Sequence, residues 1–259
     1  MNSATELSYF GMASAYLLLL PVLLLSMRYQ LAIVRDSLWA VGRMSVQLLL
    51  VGLYLRYVFE WNSLWINLLW VLIMTAVAAW TTLRQAGLPV RVMFSATFTA
   101  LTVSFLSILF YFIILIVGKS ASEASLMIPI GGMLLGNSLR SNVVVLERFF
   151  RQMRDSRSEY ELRMLYGANR SEALRPFMQT ALRAGVMPQI ATMATLGIVS
   201  LPGMMTGQML GGSTPMTAIQ YQIAIMVGIY AVDMISTVLL LEVLARYAER
   251  DEVAKGKAN

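Results

Sequence analysis

Neither cysteine nor histidine occurs in the 259 residues. Their absence removes thiolate and imidazole metal sites, serine–histidine triads and haem ligation by those side chains, leaving carboxylates, Lys, Tyr, Ser/Thr and Met for any chemistry. Among these, Asp233 stands out. It sits inside an apolar run, with Tyr230 three residues before it and Thr237 four after, so a helix would carry all three on one polar stripe. A charge at mid-bilayer costs about 2.5–3.5 kcal/mol even on lenient scales, so such a residue needs a partner or a function. Arg140 lies inside another apolar run. It either snorkels to the interface or pairs with Asp233, and Asp233 itself either holds helices together or lines a substrate path.

Two further stretches combine proline, glycine and methionine. Residues 128 to 139 read IPIGGMLLGNSL, with Gly132 and Gly136 in a GxxxG arrangement beside Met133 and Asn137. Residues 200 to 212 read SLPGMMTGQMLGG, with Gly203 and Gly207 following Pro202 and flanking Met204 and Met205. Small residues at this spacing let helices pack closely. The alternative is that Pro and Gly interrupt both helices beside a cavity, freeing carbonyls and polar side chains to line a path. On that reading Asp233, Asn137, Met133, Met204 and Met205 form the path. Thioethers suit soft ions such as Cu(I) and are weaker for Fe(II), and most of the 19 methionines must serve packing.

The elements that position these residues are expected to be membrane-spanning helices. The chain is 58% hydrophobic and 13% charged, outside the usual balance of soluble domains. Seven apolar runs, near 8 to 27, 39 to 59, 62 to 83, 94 to 117, 126 to 146, 188 to 210 and 218 to 244, are each long enough to cross a bilayer of about 30 Å as a helix. The expected fold is all-α, one polytopic transmembrane domain over 1 to 259. With the N-terminus outside and the C-terminus inside, all but four of the 20 basic residues fall in cytoplasmic segments, Arg43, Arg56, Lys119 and Arg140 being the exceptions. The positive-inside rule favours that orientation. The +6 net charge is thereby assigned to topology and membrane lipid, and no nucleic-acid partner is expected.

One polar stretch, about 147 to 187, is too charged for lipid and reads as a cytoplasmic coupling segment. Glu147/Arg151 and Glu159/Arg163 are spaced four apart as helix-stabilising pairs. Gly167 is a helix stop, and Asn169 followed by Glu172 is a capping box for a new short helix. Glu161 precedes Gly167 by six residues, the spacing of the loop by which ABC importer permeases dock their ATPase, although Leu162 and Arg163 replace its two alanines. Residues 166 to 176, with Ala168 between the stop and the cap, are expected to act as a lever against a partner. The chain itself lacks a nucleotide site: Gly118-Lys119-Ser120 imitates the end of a phosphate-binding loop, but Ile113 stands where its first glycine belongs. No enzyme activity and no bound cofactor are expected here, with ATP and Mg entering through a partner subunit.

Four blocks in order, VGRMSVQLLLVGLYLRYVF at 41 to 59, MIPIGGMLLGNSL at 127 to 139, LRMLYGAN at 162 to 169 and LGIVSLPGMMTGQMLGG followed by TPMTAIQYQI, resemble the FetB-type permeases of iron-export ABC transporters, which have plant relatives linked to aluminium tolerance. The resemblance runs from about residue 30 to 240. It implies a multi-pass permease of the bacterial inner membrane, a homodimer working with a separate ATP-binding subunit, and a metal-ion substrate, iron or another transition metal, moved outward. A permease for an organic anion such as a nucleotide sugar, and a membrane scaffold that transports nothing, remain the alternatives. The resemblance supplies no substrate-binding residues.

Overall fold

A computed structural model describes residues 8–61, 63–120 and 123–247. The basic tail residues Arg250, Lys255 and Lys257, assigned above to the cytoplasm, lie outside the described residues. The described chain is helical throughout, apart from turns and one isolated bridge between Leu196 and Ser200.

The N-terminal run forms α1 (Tyr9–Ala15), a 3-10 turn (Tyr16–Leu18) and α2 (Leu19–Arg28). Then come α3 (Val34–Trp61), α4 (Leu64–Gln85) and α5 (Val90–Tyr111), the last ending in a π turn (Phe112–Ile116). The second half comprises α6 (Ala124–Asp155), α7 (Arg157–Leu165), α8 (Arg170–Thr195), α9 (Gly203–Leu210) and α10 (Pro215–Leu244), closed by a 3-10 turn (Ala245–Tyr247). Five segments, 10–28, 34–61, 64–85, 90–116 and 215–247, are long and apolar enough to cross a membrane.

At 32 residues, α6 is about 48 Å long, yet it carries Asn137, Arg140, Ser141 and Asn142 and is too polar to join that set. Its place in the bundle explains why. It packs against α4, α8 and α10, and buries Ile130, Leu134, Ser138, Ser141, Val145 and Phe149 among them. A helix enclosed by protein can keep polar groups that a lipid-facing helix cannot. By contrast α3 buries only Val58, which meets Ala124 and Ile128 of α6, while Tyr54 packs on Trp70 with ring centroids 4.5 Å apart. Most of its other apolar side chains are exposed, as lipid-facing residues are.

Three expectations are corrected. The run 188 to 210 is not one helix: α8 ends at Thr195, residues 196–202 bend, and α9 begins after Pro202. The helix opened by the Asn169 cap is not short, because α8 continues for 26 residues with Pro176 and Pro188 inside it; the short helix is α7, before the turn. The run 128 to 139 is not interrupted: Pro129, the sixth residue of α6, removes one intrahelical hydrogen bond in the second turn and the helix continues through it.

The glycines that bring helices together also differ from those expected. Gly136, Gly203 and Gly207 have open space where a Cβ would stand, and Gly132 makes only an ordinary contact with Met74. The tight approach is at Gly185 of α8, where an added Cβ would lie 2.2 Å from Val145 Cγ2 and 2.9 Å from the Ser141 carbonyl oxygen. Gly131 and Gly228 meet Phe105 and Leu134 side chains, each at 3.3 Å.

Candidate functional site

Three features lie along α6, α8 and α10. The first is a polar node between α6 and α10. Asp233 is 1% exposed, and its Oδ2 accepts a hydrogen bond from Ser141 Oγ at 3.0 Å. One turn further along α10, Ser236 donates to Asn142 Oδ1 at 3.1 Å, and Thr237 donates back to the Asp233 carbonyl at 2.7 Å. Asp233 Oδ1 and Asn142 Nδ2 are buried without a hydrogen-bond partner among the described residues. An unmet buried polar group costs about 1–3 kcal/mol, more when charged, so the node holds a carboxylate oxygen and an amide at a standing cost. A carboxylate oxygen in that position can take a proton or a cation. Among the described residues no group of three or more His, Cys, Asp or Glu side chains could hold a metal ion, and the side chains of the node around Asp233 are neutral.

Arg140 does not pair with Asp233. It is exposed on the opposite side of α6 from the node, and makes no ion pair among the described residues. Asn137 is exposed too, its amide turned back to the Met133 carbonyl at 2.7 Å. Met133 and Met204 pack against an apolar cluster containing Leu109, Phe112, Leu134 and Ile225. Met205, by contrast, faces a cavity.

That cavity is the second feature. The bend between α8 and α9 opens a space of about 510 Å³, walled by Leu196, Gly197, Leu201 and Pro202 of the bend and by Met193, Met205 and Met226. Gly197 takes φ +83°, a conformation that side-chain-bearing residues rarely adopt, and its amide donates to the Ser200 carbonyl to hold the bend. Gln222 also lines the space, and its Oε1 is buried without a hydrogen-bond partner among the described residues. The sequence pointed to the Pro–Gly bend and to Met205. It gave no warning of Met193, Met226 and Gln222, which other elements bring in.

The third feature is the elbow between α7 and α8, at the opposite end of α8. Two capping motifs stand back to back. The amide of Gly167, at φ +90°, donates to Met164 and that of Ala168 donates to Arg163, closing α7 as a Schellman motif. Asn169 Oδ1 then accepts from the Glu172 amide at 3.0 Å while Glu172 Oε2 accepts from the Asn169 amide at 2.8 Å. With Arg163, Met164, Gly167, Ala168, Asn169 and Glu172 joined by these four bonds, the elbow is a stiff corner. Its tip is apolar and bare: Leu165 and Tyr166 are each 83% exposed. Behind the tip, Tyr160, Ala173 and Leu174 pack in one cluster with Phe149 of α6 and Leu240, Leu241 and Leu244 of α10. Arg170 Nη2 donates to the Ala245 carbonyl at 3.1 Å, tying the elbow to the end of α10. Glu161 is exposed and paired with Arg157 at 2.9 Å; Glu147/Arg151 and Glu159/Arg163 pair as expected. Exposed pairs of this kind contribute at most about 1 kcal/mol each.

Residues 9–248 match the model of a family described as "Uncharacterised protein family (UPF0014)". The chain is 28% identical to the "Probable iron export permease protein FetB" of Escherichia coli K12, over 88% of this chain and 87% of the relative. It is 32% identical to the "UPF0014 membrane protein slr1647" of Synechocystis, over 81% of each. It is 29% identical to "Protein ALUMINUM SENSITIVE 3" of Arabidopsis thaliana, over 83% of this chain and 77% of the relative. No solved structure matches. A helical chain with five long apolar helices, matched over nearly its whole length, thus belongs to the UPF0014 family of membrane proteins.

Proposed function

We propose that this chain is the permease subunit of an ATP-driven ABC transporter that exports iron or another transition metal across a bacterial inner membrane. The observation that carries the proposal is the elbow. A stiff corner with a bare apolar tip, rooted in α6, α8 and α10, suits a cleft in a partner better than it suits water. The name of the Escherichia coli relative supports the substrate class.

Seven crossings follow if α1 with α2, α3, α4, α5, α6, α8 and α10 each traverse the bilayer, N-out and C-in, with α9 at the outer end of α8; residues 170–187, assigned above to the cytoplasmic segment, then form the cytoplasmic end of the sixth crossing. The elbow and the end of α10 then face the cytoplasm. A separate ATP-binding subunit grips the elbow, two copies of the permease serve two such subunits, and ATP with Mg stays on the partner. When the partner closes, the elbow moves as a body and carries α6, α8 and α10 with it. Because Ser141 and Asp233 sit on different ones of these helices, their hydrogen bond reports the movement, and the Asp233 carboxylate is the group exposed or withdrawn.

A second reading, export of an organic anion such as a nucleotide sugar, draws support from Arg43 and Arg140, both exposed on helices assigned to the bilayer. The two readings separate in inside-out vesicles containing the permease and its ATP-binding partner. Metal export predicts ATP-dependent uptake of iron(II), lost in Leu165→Asp/Tyr166→Asp through loss of the partner. Anion export predicts nucleotide-sugar uptake, lost in Arg140→Gln, with no iron(II) uptake. A complex whose ATPase neither substrate stimulates would leave only a scaffold.

A further inference from the structure

The cavity at the bend between α8 and α9 is distant from both the elbow and the polar node. Gln222 stands eleven residues before Asp233 on α10, about 16 Å along the helix axis. We infer that this cavity is a binding site for a soft monovalent metal cation, held by the thioethers of Met193, Met205 and Met226 and by the side-chain oxygen of Gln222.

Three separate elements converge there. Met193 comes from the last turn of α8, Met205 from α9, and Gln222 and Met226 from successive turns of α10, where a spacing of four residues puts them on one face. Thioether sulfur is a soft, polarizable donor that selects Cu(I) and its analogues over hard ions. Methionine's three rotatable bonds let the sulfurs draw in around an ion smaller than the cavity. Gln222 is the second, independent pointer: it is 9% exposed and lines the same space, and its side-chain oxygen is buried beside it without a partner among the described residues. Such an oxygen normally has a partner.

The lining also restricts the charge of the ligand. No Asp, Glu, Lys or Arg faces the cavity. Solvation cost rises with the square of charge, so a neutral donor set tolerates a monovalent ion far better than a divalent one. Along the same seam between α8 and α10, a smaller cavity of about 290 Å³ is lined by Met187, Tyr230 and Met234 and also by Gln179 and Arg183, so the uncharged thioether lining ends at the first cavity and a cationic side chain stands in the second.

This inference goes beyond the transport proposal, because binding stands whether or not flux follows. Silver(I), a redox-stable stand-in for Cu(I), is titrated into the full-length chain in detergent and chloride-free buffer. Binding is read by calorimetry and by the ε-methyl resonances of labelled methionine, assigned with single Met→Leu variants. Saturable binding that shifts Met193, Met205 and Met226, weakened about tenfold or more in the triple Met→Leu variant and unchanged in Met133→Leu/Met204→Leu, is the expected result; Leu keeps the volume of Met while removing the sulfur. Absence of saturable binding, shifts confined to other methionines, or equal affinity in the triple variant would overturn the site. If the triple variant fails to fold, the wild-type resonance shifts decide alone. Silver binding without ATP-dependent flux would leave the site and remove the transport proposal; flux without silver binding would do the reverse.

Discussion

Replacing Gly185 with alanine tests the packing that places α8 against α6. In an ordinary helix interior this change stabilises, by about 0.5–1 kcal/mol, because alanine orders more cheaply than glycine. Here the new methyl would stand 2.2 Å from Val145 Cγ2 and 2.9 Å from the Ser141 carbonyl oxygen, against about 3.5–4.0 Å for a comfortable carbon contact. Val145 is 1% exposed and β-branched, so rotamer relief is restricted, and the Ser141 atom is backbone. The two helices must separate by about 1 Å or more. Overpacking of this kind costs about 1–3 kcal/mol, so after the propensity gain about 1–2 kcal/mol of destabilisation remains, a fall in Tm of roughly 2–8 °C. Thermal unfolding of the purified protein in detergent measures it. Val145→Ala in the same chain removes the colliding methyl, and the double variant should show a favourable coupling of about 1 kcal/mol or more. A Gly185→Ala protein as stable as wild type would refute the close crossing. So would a destabilisation that Val145→Ala does not relieve.

Further outcomes follow from the same geometry. Asp233→Asn keeps the shape of the node and an acceptor for Ser141, so the protein should fold with a Tm near that of wild type while ATP-dependent flux falls at least about tenfold, a ratio corresponding to about 1.4 kcal/mol; retained flux would show that the carboxylate only ties α6 to α10. Asn169→Ala removes one half of the capping box and should cost about 0.5–2 kcal/mol, with faster amide hydrogen exchange in the first turn of α8. Gly167→Ala forces an L-residue to φ +90° and should cost about 1–2 kcal/mol, read as loosened exchange protection at the end of α7.

The parts of the molecule that local sequence determines were readable in advance. Asn169 and Glu172 are three residues apart and need only each other to form a capping box, and Gly167 needs only the helix it ends. Lipid-facing helices were readable for a similar reason, since the solvent they meet dictates their composition. The extent of α8 was not, because it is partly enclosed by α6 and α10 and is free to carry Arg175, Arg183 and two prolines. Glycine spacing likewise says that a helix has a small face and not which way the face turns: Gly185 meets α6 and Gly136 meets nothing. The expected partnership of Arg140 with Asp233 failed on rotation, since Ser141, the next residue, faces α10 in its place. Gln222 and Met193 are far apart in the chain, and only the fold puts them on one cavity.

The central claim is that the elbow lies on the cytoplasmic side of a membrane the chain crosses several times, where a soluble motor can reach it. A chain without cysteine offers a clean background for single-site labelling. Tyr166→Cys at the elbow and Ser213→Cys at the far end of the bundle, each exposed, are probed in whole cells with a membrane-impermeant maleimide. The account predicts that Ser213→Cys labels in intact cells and Tyr166→Cys labels only after permeabilisation. Labelling of Tyr166→Cys from outside intact cells would contradict it.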